Sequence, residues 1–181
     1  MFNYISKLTR YFTPILCLVI AMLAVYKITE HRFAELRNDS YSLNFATAAE
    51  RDRQLTCLAR NIYFESASEP FEGKVGVAQV TLNRAASGQF PADICGVVYQ
   101  KNHFVSKTVC QFSWYCNKPS TLKVRSPEHY AESMEVAKKV LLENFRLESL
   151  NDALYYHADY VNPGWRKERI TKIGHHIFYK G

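Results

Sequence analysis

The sequence shows no internal repeat, no low-complexity tract and only seven glycines among 181 residues. That excludes repeat arrays and compositionally disordered chains. It lacks any long run of basic residues. Beyond residue 32 there are 19 Lys/Arg against 16 Asp/Glu, so the body carries only +3 of the +6 formal charge. A nucleic-acid footprint is therefore absent. The mild positive balance suits either an anionic polymer or an ordinary solvated surface. There is no C-x-x-C pair and no H-E-x-x-H. The common zinc-ligand spacings are thus missing, and neither a metal nor a cofactor is expected. Nothing in the chain reports an oligomeric state.

What is present begins with an uncharged apolar run, Phe12 to Tyr26, extendable from Tyr11 to Ile28. A helix over residues 11–28 would reach roughly 27 Å, near the thickness of a bilayer core. Lys7 and Arg10 precede it, as in signal peptides and in anchors. Leu23 and the bulky residues after Ala24 make a poor cleavage site, so an uncleaved anchor is expected. Of five cysteines, Cys17 lies in this run. Cys57, Cys95, Cys110 and Cys116 form an even set in the body, as two disulfides of an oxidising compartment would require. Three pairings are open, and Cys57–Cys95 with Cys110–Cys116 is the one expected. The domain is accordingly placed on the periplasmic or wall side of the cytoplasmic membrane.

Residues 29–52 read as a polar stalk, after an anchor over 1–28 and before a domain over 53–181. Gln54 to Glu65 has helical spacing. Ser66 to Pro70 breaks it, with Ser68 as cap and Pro70 in the first turn of a second helix to Ala86. Cys110 to Asn117 reads as a strand or tight hairpin. Ser126 and Pro127 open a third helix to about Phe145, with Tyr130, Met134, Ala137 and Leu141 inward. The aromatic tail, broken by Pro163 and Gly164, suggests short strands joined by loops. Helices first and strands later give an α+β class.

One carboxylate stands out. Leu55, Leu58 and Ile62 form an apolar stripe, and Glu65 is the next residue on it. There it meets the negative end of the helix dipole, and partial burial raises a carboxyl pKa. Both keep the proton on longer, as a general acid requires. The plainer alternative pairs Glu65 with Arg60 or Arg84. Glu69 and Glu72 read as helix-start residues. The set Tyr63, Gln111, Phe112, Trp114, Tyr155, Tyr156 and Trp165 offers aromatic faces and an amide. Those suit sugar rings, whose faces are apolar and whose edges need hydrogen bonds. Cys57 with His157 or His176 could pose as a papain-like pair, but a bridged Cys57 could not.

The run L-A-R-N-I-Y-F-E-S-A-S-E-P-F-E-G-K-V-G-V-A-Q-V-T-L-N-R at 58–84 resembles the SleB/CwlJ-type cell wall hydrolases. So do F-P-A-D-I-C-G-V-V-Y-Q at 90–100, Q-F-S-W at 111–114, A-L-Y-Y-H-A at 153–158 and I-G-H-H-I-F-Y at 173–179. The blocks keep the family's order over roughly residues 55–180. The resemblance implies a lysozyme-like α+β domain that cuts peptidoglycan glycan strands as a lytic transglycosylase. The residue matching the family's catalytic glutamate is Glu65. Here E-S-A-S-E-P stands where the family usually reads E-A-R-G-E-P, so the acid is kept and the arginine is not. Tyr63, Gln111, Ser113, Tyr156 and His157 are the candidates for lining the cleft. Two alternatives stay open: an N-acetylmuramoyl-L-alanine amidase, and a catalytically weak wall-binding module. The setting is wall remodelling or phage lysis. The family's spore-germination role does not carry over to an anchored chain with four body cysteines.

Overall fold

A computed structural model describes residues 16–30, 45–116 and 122–181. The chain divides into two compact units, Met1–Ser42 and Leu43–Gly181. In the first, a helix (α1) spans residues 16–30. No helix among the described residues is long and apolar enough to cross a membrane. The described residues thus do not carry the transmembrane helix expected over 11–28; residues 11–15 of that span lie outside them.

The second unit opens with α2, Ala48–Ser66. It begins six residues before the expected Gln54, because Thr47 caps it by accepting the Glu50 N–H at 3.1 Å. Glu50 then bonds Arg53 and Gln54 across the first turns. Polar first turns leave no apolar period to read, so residues 48–52 looked like stalk.

α3, Phe71–Ala86, is the axis of the domain, buried all round from Gly73 to Ala85. A helix surrounded by protein must pair most of its polar side-chain atoms. Gln79 donates to the Leu147 carbonyl and accepts the Leu147 N–H. Asn83 donates to the carbonyls of Leu150 and Ala153, and Lys74 pairs with Glu132 at 2.8 Å. Pro70, not Ser68, occupies the position before α3 and provides no side-chain cap.

α4, Ile94–Val98, is capped by Asp93 and bridged to α2 by Cys57–Cys95. A hairpin of β1 (Lys101–His103) and β2 (Thr108–Cys110) follows. The segment after Cys110 is neither the strand nor the tight hairpin expected. A 3₁₀ turn, Ser113–Cys116, is closed by Cys110–Cys116, and a bridge over so short a loop bends the chain back. Both disulfides are those expected.

α5, Pro127–Leu141, is capped by Ser126 and ends earlier than the expected Phe145, with Asn144 at φ 54°. Its most buried line is Ser133, Val136, Ala137 and Val140, with Tyr130, Met134 and Leu141 flanking. β3 (Ala153–Ala158), β4 (Arg169–Ile173) and β5 (His176–Lys180) form an antiparallel sheet in the order β3-β5-β4. Phe178 of β5 packs so closely on α3 that a Cβ at Gly76 would lie 2.5 Å from its ring. Helices α2, α3 and α5 enclose the main core, and the sheet closes a smaller one around Val80, Leu150, Ala153 and Phe178. The α+β class is as expected.

Candidate active site

The last turn of α2 is fixed from several sides. Asn61 accepts from Trp114 Nε1 at 3.0 Å and donates to Thr81 at 3.1 Å, all buried. Phe64 stacks on Trp114 at 4.5 Å. This locks the rotation of α2, and Glu65, four residues beyond Asn61, shares that face. The helix stops one residue later. Ser66 turns its hydroxyl back onto the Ile62 carbonyl, and its own carbonyl accepts the Glu69 N–H.

Glu65 is half-buried. Tyr156 of β3 donates its hydroxyl to Glu65 Oε2 at 3.1 Å. Among the described residues the carboxylate has no other hydrogen bond and no ion pair within 4 Å. Neither Arg60 nor Arg84 pairs with it. Burial pushes the Glu65 carboxyl above its ordinary value, while the Tyr156 hydrogen bond and the charge of Arg84 pull the other way. Burial and the nearby carboxylate in turn push the Tyr156 phenol far up, so it stays a donor.

Arg84 lies under this pair, 4% exposed. Its Nε donates to the Leu154 carbonyl at 2.8 Å, and its Nη1 has no partner among the described residues. Its guanidinium faces the rings of Phe90 and Phe112, each at 5.2 Å, and those of Tyr155 and Tyr156, each at 6.0 Å. A buried cation that forms no ion pair sends its field toward the carboxylate across a low-dielectric gap. His176 is also buried, its ring edge on Tyr156 at 5.0 Å and its Nδ1 unpartnered. Burial lowers its pKa, which favours the neutral ring.

Tyr156 is the candidate cleft residue that touches Glu65. Tyr63 uses its hydroxyl to accept the backbone N–H groups of Arg125 and Ser126 just before α5. Gln111 is half-buried, its N–H on the Gln100 carbonyl, and Ser113 is exposed at the start of the 3₁₀ turn. His157 follows Tyr156 in β3 and so points to the other face of the sheet. There its Nε2 meets the Tyr179 hydroxyl at 2.8 Å. Among the described residues no group of three or more His, Cys, Asp or Glu could hold a metal ion.

Sequence spacing missed two residues. Arg84 was named only as a pairing partner, although a cation in a helix with no polar face is itself a signal. Glu69 was read as a helix-start residue. It is buried, and its Oε2 accepts the His175 N–H at 2.9 Å in the turn between β4 and β5.

The family model for cell wall hydrolases matches residues 68–179. A spore cortex-lytic enzyme of Bacillus cereus is 32% identical over 140 residues, covering 73% of this chain and 45% of that protein. The enzyme of the same name from Bacillus subtilis is 28% identical and is covered over 37% of its length. The chain thus spans less than half the length of these curated relatives. The crystal structure of the catalytic domain of the Bacillus cereus SleB protein superimposes with a TM-score of 0.54 at 25% identity. That match covers 77% of this chain and 96% of that one. The catalytic domain of the germination-specific lytic transglycosylase SleB from Bacillus anthracis gives the same TM-score at 27% identity, over 76% and 98%.

Proposed function

Because the chain belongs to the cell wall hydrolase family, of SleB/CwlJ type, we propose that it cleaves peptidoglycan glycan strands as a lytic transglycosylase with Glu65 as general acid and base. One observation carries the assignment. Glu65 is a half-buried carboxyl with no ion pair among the described residues, and burial raises its pKa. The family match starts three residues beyond Glu65, so its role rests on this geometry and on the sequence block around it.

The steps follow from the surroundings. Protonated Glu65 donates to the glycosidic oxygen between N-acetylmuramic acid and N-acetylglucosamine. The C1–O bond breaks, and the leaving sugar keeps the proton. An oxocarbenium-like or N-acetyl-stabilised centre remains. The Glu65 carboxylate, supported by the Tyr156 hydroxyl and the field of Arg84, takes the proton of the same sugar's 6-hydroxyl. That oxygen closes on C1 as a 1,6-anhydro ring. Water is not consumed, and no second carboxylate is needed, unlike ordinary retaining or inverting glycosidases. Tyr63, Gln111 and Ser113 are proposed sugar contacts, and His157 belongs to the outer sheet face.

A tether through residues 11–28 and a wall-facing location belong to the same reading. They are supported by the apolar run in the sequence and by two disulfides, which persist in oxidising compartments. Mass spectrometry of digested walls tests the chemistry. Anhydro-muramic ends that vanish in Glu65→Gln are expected; reducing ends, or undiminished activity in the variant, refute the assignment. Fractionation tests the tether: the full chain should sediment with membranes, and a chain lacking residues 1–44 should not.

A further inference from the structure

The sheet has two faces with different jobs. Tyr156 and Phe178, paired across β3 and β5, face α3 and the Glu65 site. Tyr155 and Tyr179, the neighbouring pair in the register, lie with His157 on the opposite face, Tyr155 on the edge strand where its ring also comes within 6.0 Å of the Arg84 guanidinium. Over this outer face lies the loop from Asp159 to Glu168. Its Trp165 stands edge-on to Tyr155 and His157, each at 5.9 Å, and to Tyr179 at 6.1 Å.

Yet the cluster does not close on itself. Trp165 is 39% exposed, and Tyr160 in the same loop is 85% exposed. Exposed aromatics gathered around a sheet face mark an interaction surface more often than scattered surface residues do. Charge gives the patch a sign. Asp159 is held by Lys172 at 2.7 Å and by His175, and Glu168 by Lys180 at 2.6 Å. Both acids of the segment are therefore neutralised. Among the described residues Arg166 and Arg169 form no ion pair, and Lys167 sits 3.6 Å above the Tyr155 ring. Three cations remain uncompensated around an exposed tryptophan.

We infer that this outer sheet face is a second carbohydrate-binding surface, which holds a carboxylate-bearing glycan strand apart from the strand being cut. Sugar C–H faces would lie on Trp165 and Tyr160. Carboxylates along the strand would meet Arg166 and Arg169, whose forked donors match them. This rests on the reading of the polymer as peptidoglycan, but not on the identity of the bond cleaved. A grip outside the cleft keeps an enzyme on an insoluble polymer between cuts, because rebinding is then local.

The test uses the full chain in detergent with Glu65→Gln, so that walls are bound without being digested, and cosedimentation with purified peptidoglycan sacculi. Trp165→Ala should weaken binding about tenfold, as truncation of an aromatic anchor does. The pair Arg166→Ala and Arg169→Ala, at exposed positions, should weaken it at low salt and flatten its salt dependence. Unchanged thermal midpoints separate these effects from misfolding. Sacculus binding unaltered in both variants overturns the proposal. Equal affinity of the unsubstituted surface for double-stranded DNA also overturns it. Loss of anhydro ends as the product, with Trp165-dependent sedimentation intact, would sink the catalytic reading and leave this one standing.

Discussion

Glu65 and Glu69 stand one helical turn apart in sequence and live in different worlds. The first ends α2 half-buried, with a single phenol hydrogen bond. The second lies in the turn after α2 and holds a backbone N–H of the β4–β5 connection. A carboxylate given a backbone donor and a tight fit is structural. One left in a partly dry setting, with no counter-ion among the described residues, holds its proton to higher pH, as the proposed acid must. The difference comes from what the surrounding chain supplies.

Several substitutions would break or sharpen that contrast. The largest effect belongs to Glu65→Gln, which should lower wall-solubilising activity by about 10²–10⁴. Its stability effect should have the opposite sign. A carboxyl whose pKa is raised by folding binds more protons folded than unfolded. Stability must then fall as pH rises from the ordinary carboxylate range through the folded value. Glu65→Gln should remove that slope in urea titrations run from pH 4 to pH 8, pH values chosen to span about the carboxylate range. Glu50, Glu132, Asp159 and His176, whose pKa values folding lowers, tilt the native curve the other way, so the difference between native protein and variant is the readout; identical slopes in the two would show the burial argument wrong.

Next comes Gly174→Ala. Its φ of 56° disfavours any side chain, and a Cβ there would lie 1.9 Å from Glu69 Oε2. Destabilisation of about 2–4 kcal/mol is expected. Glu69→Ala alone should cost about 1–3 kcal/mol through the lost hydrogen bond. In combination the two should cost less than their sum, because removing Glu69 clears the collision. Glu69→Ala should cost far less activity than Glu65→Gln. The smallest effect is that of Tyr156→Phe. Losing the phenol donor raises the Glu65 pKa further, so the alkaline limb of the activity profile should move to higher pH. A shift to lower pH would show that Tyr156 does not support the carboxylate.

These residues also show how far the sequence could be read. The helix ending at Glu65 was legible because Leu55, Leu58 and Ile62 keep one period. Its first turns were not, since Ala48 to Arg53 are stabilised by side-chain bonds that leave no apolar pattern. β3 showed in A-L-Y-Y-H-A, whereas Q-F-S-W-Y looked like a strand although its neighbouring disulfide forces a 3₁₀ turn. At the site, Glu65 was readable from its place on the stripe. Tyr156 was only one aromatic among many, and its contact spans 91 residues of chain, beyond any local period. His157 is a cleft candidate beside it in the sequence reading, yet strand alternation sends adjacent side chains to opposite faces.

The bridge between α2 and α4 has a consequence for when the protein becomes competent. Cys57 and Cys95 stand 38 positions apart in sequence, and Glu65, Glu69 and Arg84 all lie between them. Closing a loop of that length withdraws about 4 kcal/mol of freedom from the unfolded chain. A newly made molecule kept among reducing thiols would lack that constraint across the very segment that carries its acid. The activity proposed for this protein would thus be tied to the redox state of its surroundings, with oxidation as the step that sets its edge.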